Sequence, residues 1–164
     1  MMKFGKLLLM MWMIGVLAPS LFAQQVTTEM IGPLSGNFTV TFPSGPPYCP
    51  AAGQQDAVTF TGNVHVLTSY DPTQNTVDYH INLLSVKGTG TLVSKYIGSG
   101  ATDLLDQGFP GSNITVSIAI SANLFPNNPC NQGFPSTGAL PIVVSISFGA
   151  DFTLNTVSAQ VGQT

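Results

Sequence analysis

Apolar and polar residues alternate singly over most of the chain, the two-residue period of strands that turn one face to a core and the other to water. Over residues 58–66, Val58, Phe60, Val64 and Val66 are apolar, whereas Thr59, Thr61, Asn63 and His65 are polar. The next run flips parity, setting Val77, Tyr79, Ile81 and Leu83 against Asp78, His80 and Asn82. Residues 114–121 alternate Ile114, Val116, Ile118 and Ile120 with Thr115, Ser117, Ala119 and Ser121. A fourth run carries Ile142, Val144, Ile146, Phe148, Phe152 and Leu154 on one face. Weaker strands are predicted at 37–42, 91–97 and 157–161, with an edge strand at 26–31.

Clusters of Gly, Pro and Asn separate these runs. Gly32-Pro-Leu-Ser-Gly36, residues 43–47, Asp71-Pro72, Gly98-Ser-Gly100 and residues 125–129 read as turns, with φ preset by Pro or freed by Gly. Ala101–Gln107 suggests a helical turn too short to stand alone. The pattern predicts an all-β domain of seven or eight antiparallel strands, and either a β-sandwich or a closed barrel satisfies it.

The N-terminus breaks the alternation. Lys3 and Lys6 precede an unbroken apolar stretch at 7–18, and Ala23 stands before the polar Gln24. These are the three parts of a secretory signal peptide, and the stretch is too short to span a bilayer. Residues 1–23 are therefore assigned to the signal and 24–164 to a single β-domain, with a secreted or periplasmic address. No segment after Ala23 is a candidate transmembrane helix.

Charge matters because there is so little of it. Charged residues make up 7% of the chain and Arg is absent. Removal of Lys3 and Lys6 leaves Lys87 and Lys95 against Glu29, Asp56, Asp71, Asp78, Asp103, Asp106 and Asp151, taking the net charge from -3 to -5. A nucleic-acid or anionic-lipid partner needs clustered positive charge and is excluded on that ground. Cys49 and Cys130, each in a Pro-rich stretch of an exported chain, are expected to form a disulfide. Their spacing and surroundings match neither a redox pair nor a zinc site.

The two histidines carry the sharpest chemical hypothesis. A four-residue loop closed by Tyr70 and Asn75 would set His65 opposite His80 on the polar face, near enough to share a metal ion, with Asp78 as a third ligand. The ordinary reading, two histidines at solvated strand positions, is preferred. No nucleophile, base and orienting group converge in any motif, and Asp103 with Asp106 fits a solvated turn better than a glycosidase pair. An enzyme is accordingly not expected, and no cofactor is implied.

Tyr48, Phe109, Phe125 and Phe134 are aromatics in predicted loops beside Pro and Gly, where they either cap the open end of the fold or form a surface for protein or carbohydrate. The leading expectation is a non-enzymatic binding, adhesion or structural module. An eight-stranded outer-membrane barrel is the alternative, weakened by a C-terminus without a terminal aromatic and by strands without aromatic girdles.

Gly62-Asn-Val-His-Val66, Val77-Asp-Tyr-His-Ile81, Val86-Lys-Gly-Thr-Gly90 and Lys95-Tyr-Ile-Gly98 together resemble exported bacterial all-β proteins of uncharacterised function. The resemblance covers about 40 residues, implies a secreted β-fold, and transfers no catalytic residue.

Overall fold

A computed structural model of the chain describes residues 25–42, 53–109, 113–126 and 139–162. Eight strands account for nearly all of them: β1 (Val26–Thr41), β2 (Gln55–Asp71), β3 (Thr76–Gly90), β4 (Tyr96–Ser99), β5 (Ala101–Gln107), β6 (Thr115–Pro126), β7 (Ala139–Phe148) and β8 (Leu154–Val161). They form one sheet in the order β2-β1-β8-β7-β6-β4-β3-β5, and β3 also pairs with β2. The pairings thus close on themselves. β4 and β5 follow one another along the same side of β3, against Val86–Gly88 and Thr76–Asn82 respectively, so the wall has seven staves. An up-and-down path through an odd number of staves brings first and last together in the same direction. β1 accordingly meets β8 in parallel, Leu34 to Gly36 against Ala159 to Val161, while every other pair is antiparallel.

The alternation explains this wall. Even positions of β2, β6 and β7 and the odd positions 77, 79 and 81 of β3 point inward, where Phe60, Val64, Ile81, Ile142, Val144 and Ile146 lie in one continuous apolar core. Threonine, serine and asparagine recur at about half of the outward positions. Burying each large aliphatic side chain in this way contributes on the order of 1.5–3 kcal/mol before entropy is charged against it. No helix among the described residues is long and apolar enough to cross a membrane.

Several local expectations need correction. Ala101–Gln107 is a strand, because its amides pair with β3 rather than with one another. Gly32 to Gly36 lies inside β1, where the glycines admit the β8 backbone instead of turning the chain. The run ending at Leu154 is broken by Gly149 and a 3-10 turn at Ala150–Phe152, after which β8 begins. Residues 91–94 bend before β4 instead of starting a strand. Phe125 sits in β6 opposite Ile97, not in a loop.

The register of the β2–β3 hairpin also differs by two residues from the expected one. Asp71 pairs with Thr76, which sets His65 opposite Asn82 and His80 opposite Leu67. The four-residue loop survives, moved one residue along the chain. Asp71 stays in the ladder, and its Oδ1 accepts the Thr73 and Gln74 amides at 2.8 and 3.2 Å, while Asn75 takes φ 54°. An aspartate at the start of a turn and an asparagine in the left-handed region favour this placement. Further along, Gly62 faces Ser85 and Val86 in a bulge that switches the inward set of β3 from odd to even positions.

One buried carboxylate fastens the β3–β4 connection. Asp56 occupies an inward position of β2 and is 0% exposed. Its Oδ1 accepts the Thr91 amide (2.7 Å), the Thr91 hydroxyl (2.8 Å) and the Leu92 amide (2.9 Å). Its Oδ2 accepts the Val93 amide (2.9 Å) and the Tyr96 hydroxyl (2.7 Å). Burial alone pushes this carboxyl up, but the Leu92 amide, the Tyr96 hydroxyl, the Val93 amide and the Thr91 side chain outweigh it and hold it below its ordinary range. The Tyr96 hydroxyl moves the opposite way, raised by burial, by its bond to Asp56 and by that residue's charge.

Candidate functional site

The turns between β2 and β3, β5 and β6, and β7 and β8 share one end of the barrel. There the core surfaces as a group of rings. Phe148, at the end of β7, stacks on Phe152 at 5.1 Å and meets Phe109 edge-on at 5.6 Å. Tyr70, at the end of β2, lies 5.8 Å from Phe109 and 5.2 Å from Phe152. Offset and edge-on pairs at these separations are favourable beyond the area they bury. Tyr79 packs below against Phe148 at 6.3 Å. Its buried hydroxyl has no hydrogen-bond partner among the described residues, and burial with the Asp106 charge pushes it up to about 12.

The outer surface of this group is a cleft of about 390 Å³, lined by Val26, Tyr70, Pro72, Phe109, Asp151 and Phe152. Its rim is shaped by unusual backbone. Asp151 and Phe152 are consecutive residues at φ 57° and 61°, a conformation that is uncommon for a bulky side chain. Gly149 donates to the Thr153 carbonyl at 2.7 Å across this turn. The result turns Phe152 into the ring cluster and leaves Asp151 exposed at the rim. Tyr70 keeps its ring in place through its hydroxyl, which donates to Asn75 Oδ1 at 3.2 Å.

Comparison with known proteins adds no relative. No family model, curated protein or solved structure matches the chain. The cleft must therefore be read from its own chemistry. It offers ring faces, one carboxylate and a few hundred cubic ångströms, the make-up of a small-ligand site. Among the described residues that line it, no nucleophile stands beside a base.

Of the residues singled out from sequence, Phe109 alone lies in this cleft. Phe125 is exposed on the barrel wall beside Ile97, toward the other end. Cys49, Cys130, Tyr48 and Phe134 lie outside the described residues. The histidines part company: His65 Nε2 is 3.3 Å from Glu29 Oε2, and His80 Nδ1 is 2.5 Å from Asp103 Oδ1. Asp78 stands opposite Ser69 and Leu105. Among the described residues no group of three or more His, Cys, Asp or Glu is placed to hold a metal ion. Tyr70, Asp151 and Phe152 escaped sequence reading because the first two end or interrupt strands and the third continued an inward parity.

Proposed function

We propose that the chain is an exported, non-enzymatic binding module that takes a small ligand in the aromatic cleft at the β7–β8 end of the barrel. The observation that carries this reading is the pair Asp151 and Phe152, held in left-handed backbone so that a ring and a carboxylate face one concavity. Rigid strands below and short loops above are the usual arrangement for recognition. An outer-membrane barrel fits less well, because such barrels turn apolar residues to lipid and polar ones inward, the reverse of the pattern here.

The test uses a neutral ring compound, benzyl alcohol, titrated into the protein while aromatic resonances are followed by NMR. Shifts confined to Tyr70, Phe109 and Phe152 are expected, and Phe109→Ala should abolish them. Shifts spread over the whole wall, or none at all, would remove the cleft as a site.

Export and a disulfide belong to the same proposal. The β1–β2 and β6–β7 connections, which carry Cys49 and Cys130, leave the barrel from a common end opposite the cleft. That topology supports a bond between them, as does the signal-like N-terminus. The exported product is expected to begin near Gln24, and neither cysteine should react with iodoacetamide until a reductant is added. Alkylation of both thiols without reductant would refute the bond.

A further inference from the structure

We infer that the ligand of the cleft is an organic cation, seated on the half-buried rings of Tyr70 and Phe109 over the buried ring of Phe152, with Asp151 as its counter-ion. The inference rests on the cleft being a binding site and names what class of molecule it takes. Aromatic faces are negative, and a desolvated ammonium or guanidinium within about 6 Å of a ring centroid is attracted to them. The same rings would accept any apolar group, so the charge around them decides.

That charge is sharply divided along the barrel. Six of the seven carboxylates lie in the half that ends in the cleft: Glu29 near the start of β1, Asp71 in the hairpin, Asp78 in β3, Asp103 and Asp106 in β5, and Asp151 on the rim. The seventh, Asp56, is in the other half and is occupied by five hydrogen bonds. Lys87 and Lys95, the only basic residues other than His after Lys6, also lie in that other half, at the end of β3 and in the β3–β4 turn. His65 and His80, which face the cleft half, each already stand beside a carboxylate. The cleft end is therefore the negative end of the barrel, which favours the approach of a cation over that of an anion. A somewhat larger depression of about 420 Å³, walled by Asn37, Phe38, Thr59 and Gly162, has no charged residue among the described residues that line it.

The experiment compares choline with 3,3-dimethylbutan-1-ol, its neutral isostere, by NMR titration of the same ring resonances. Choline is expected to bind at least about tenfold more tightly, in line with one cation–π contact plus one counter-ion. Raising the salt concentration should weaken choline and leave the isostere unchanged. Asp151→Asn keeps the left-handed backbone, which asparagine tolerates at least as well, and should bring the ratio close to one. A blocked Ala-Lys-Ala peptide distinguishes the source of the cation: peptide binding without choline binding assigns a protein side chain, and the reverse assigns a free quaternary amine. Equal affinity for choline and its isostere in the unaltered protein would overturn the inference while leaving the cleft as a site. A ratio untouched by Asp151→Asn would also overturn it. Absence of the benzyl alcohol shifts would instead take away the cleft itself.

Discussion

Asp56→Ala is expected to destabilise the protein by about 4 kcal/mol, enough to leave a domain of ordinary stability only marginally folded. The substitution removes the acceptor for five donors at once: three backbone amides, the Thr91 hydroxyl and the Tyr96 hydroxyl. Each donor stranded in a buried place costs about 1–3 kcal/mol, and water reaching the displaced 91–93 segment recovers part of that. Asp56→Asn is the finer probe, since an amide nitrogen in place of one oxygen faces donors it cannot accept from. Urea denaturation at neutral pH measures both. A loss under about 1 kcal/mol for the alanine variant would mean that the connection holds without its carboxylate. Gly90→Ala should mimic the defect from the other side, because a Cβ there would overlap the Asp56 carboxylate.

The same residue sets a pH dependence whose sign follows from the direction of its shift. The folded carboxyl lies below its ordinary value of 3.8, so folding favours the ionised form. This stability is fully present above the unfolded value and is lost as pH falls through the folded one. Between about pH 5 and pH 2 the urea midpoint should fall more steeply for the unaltered protein than for Asp56→Asn, which has no proton to take up there. Identical slopes would place the acid sensitivity on other carboxylates.

Asp56 also shows where sequence reading stopped short. The strands β2, β3, β6 and β7 were legible because their inward positions are almost uniformly apolar, so period two stands out. Asp56 continues the inward parity of Val58 and Phe60, and a carboxylate at such a position is itself a signal for a buried acceptor. The partner segment, Thr91 to Val93, has strand propensity in its Thr, Leu and Val and so predicts the start of a strand; tertiary hydrogen bonds override that preference. β5 was hidden for a different reason. Leu104 and Leu105 are 43% and 59% exposed on opposite faces, so no alternation survives where this stave leaves the core. The β2–β3 register hinged on one residue of turn placement, and a slip of two preserves every inward side chain, so hydrophobic pattern cannot distinguish the alternatives. The cleft was legible only through Phe109. Its other walls come from strand ends and a strained turn that the path around the barrel brings together.

Closure of the barrel turns on one small residue, and Gly32→Ala should cost about 3 kcal/mol or more. β1 must come close to β8 because the seven-stave path leaves these two strands to seal the wall in parallel. At Gly32 the approach is so tight that a Cβ would overlap the Val157 carbonyl, which belongs to the β8 backbone and cannot rotate aside. Gly36 repeats the arrangement two inward positions further along the strand, beyond Leu34, where a Cβ would lie 2.6 Å from the Val161 carbonyl oxygen. An added methyl therefore does not overpack a side chain, whose usual penalty is about 1–3 kcal/mol, but pushes two strands apart at the seam. Ser35→Ala, an exposed position in the same stretch, should change stability by less than about 0.5 kcal/mol. Hydrogen exchange locates the damage: in Gly32→Ala the amides of β8 should lose protection ahead of those in the β2–β3 ladder. A uniform loss across the sheet would mean that the barrel opens as one unit and has no weak seam at β1 and β8.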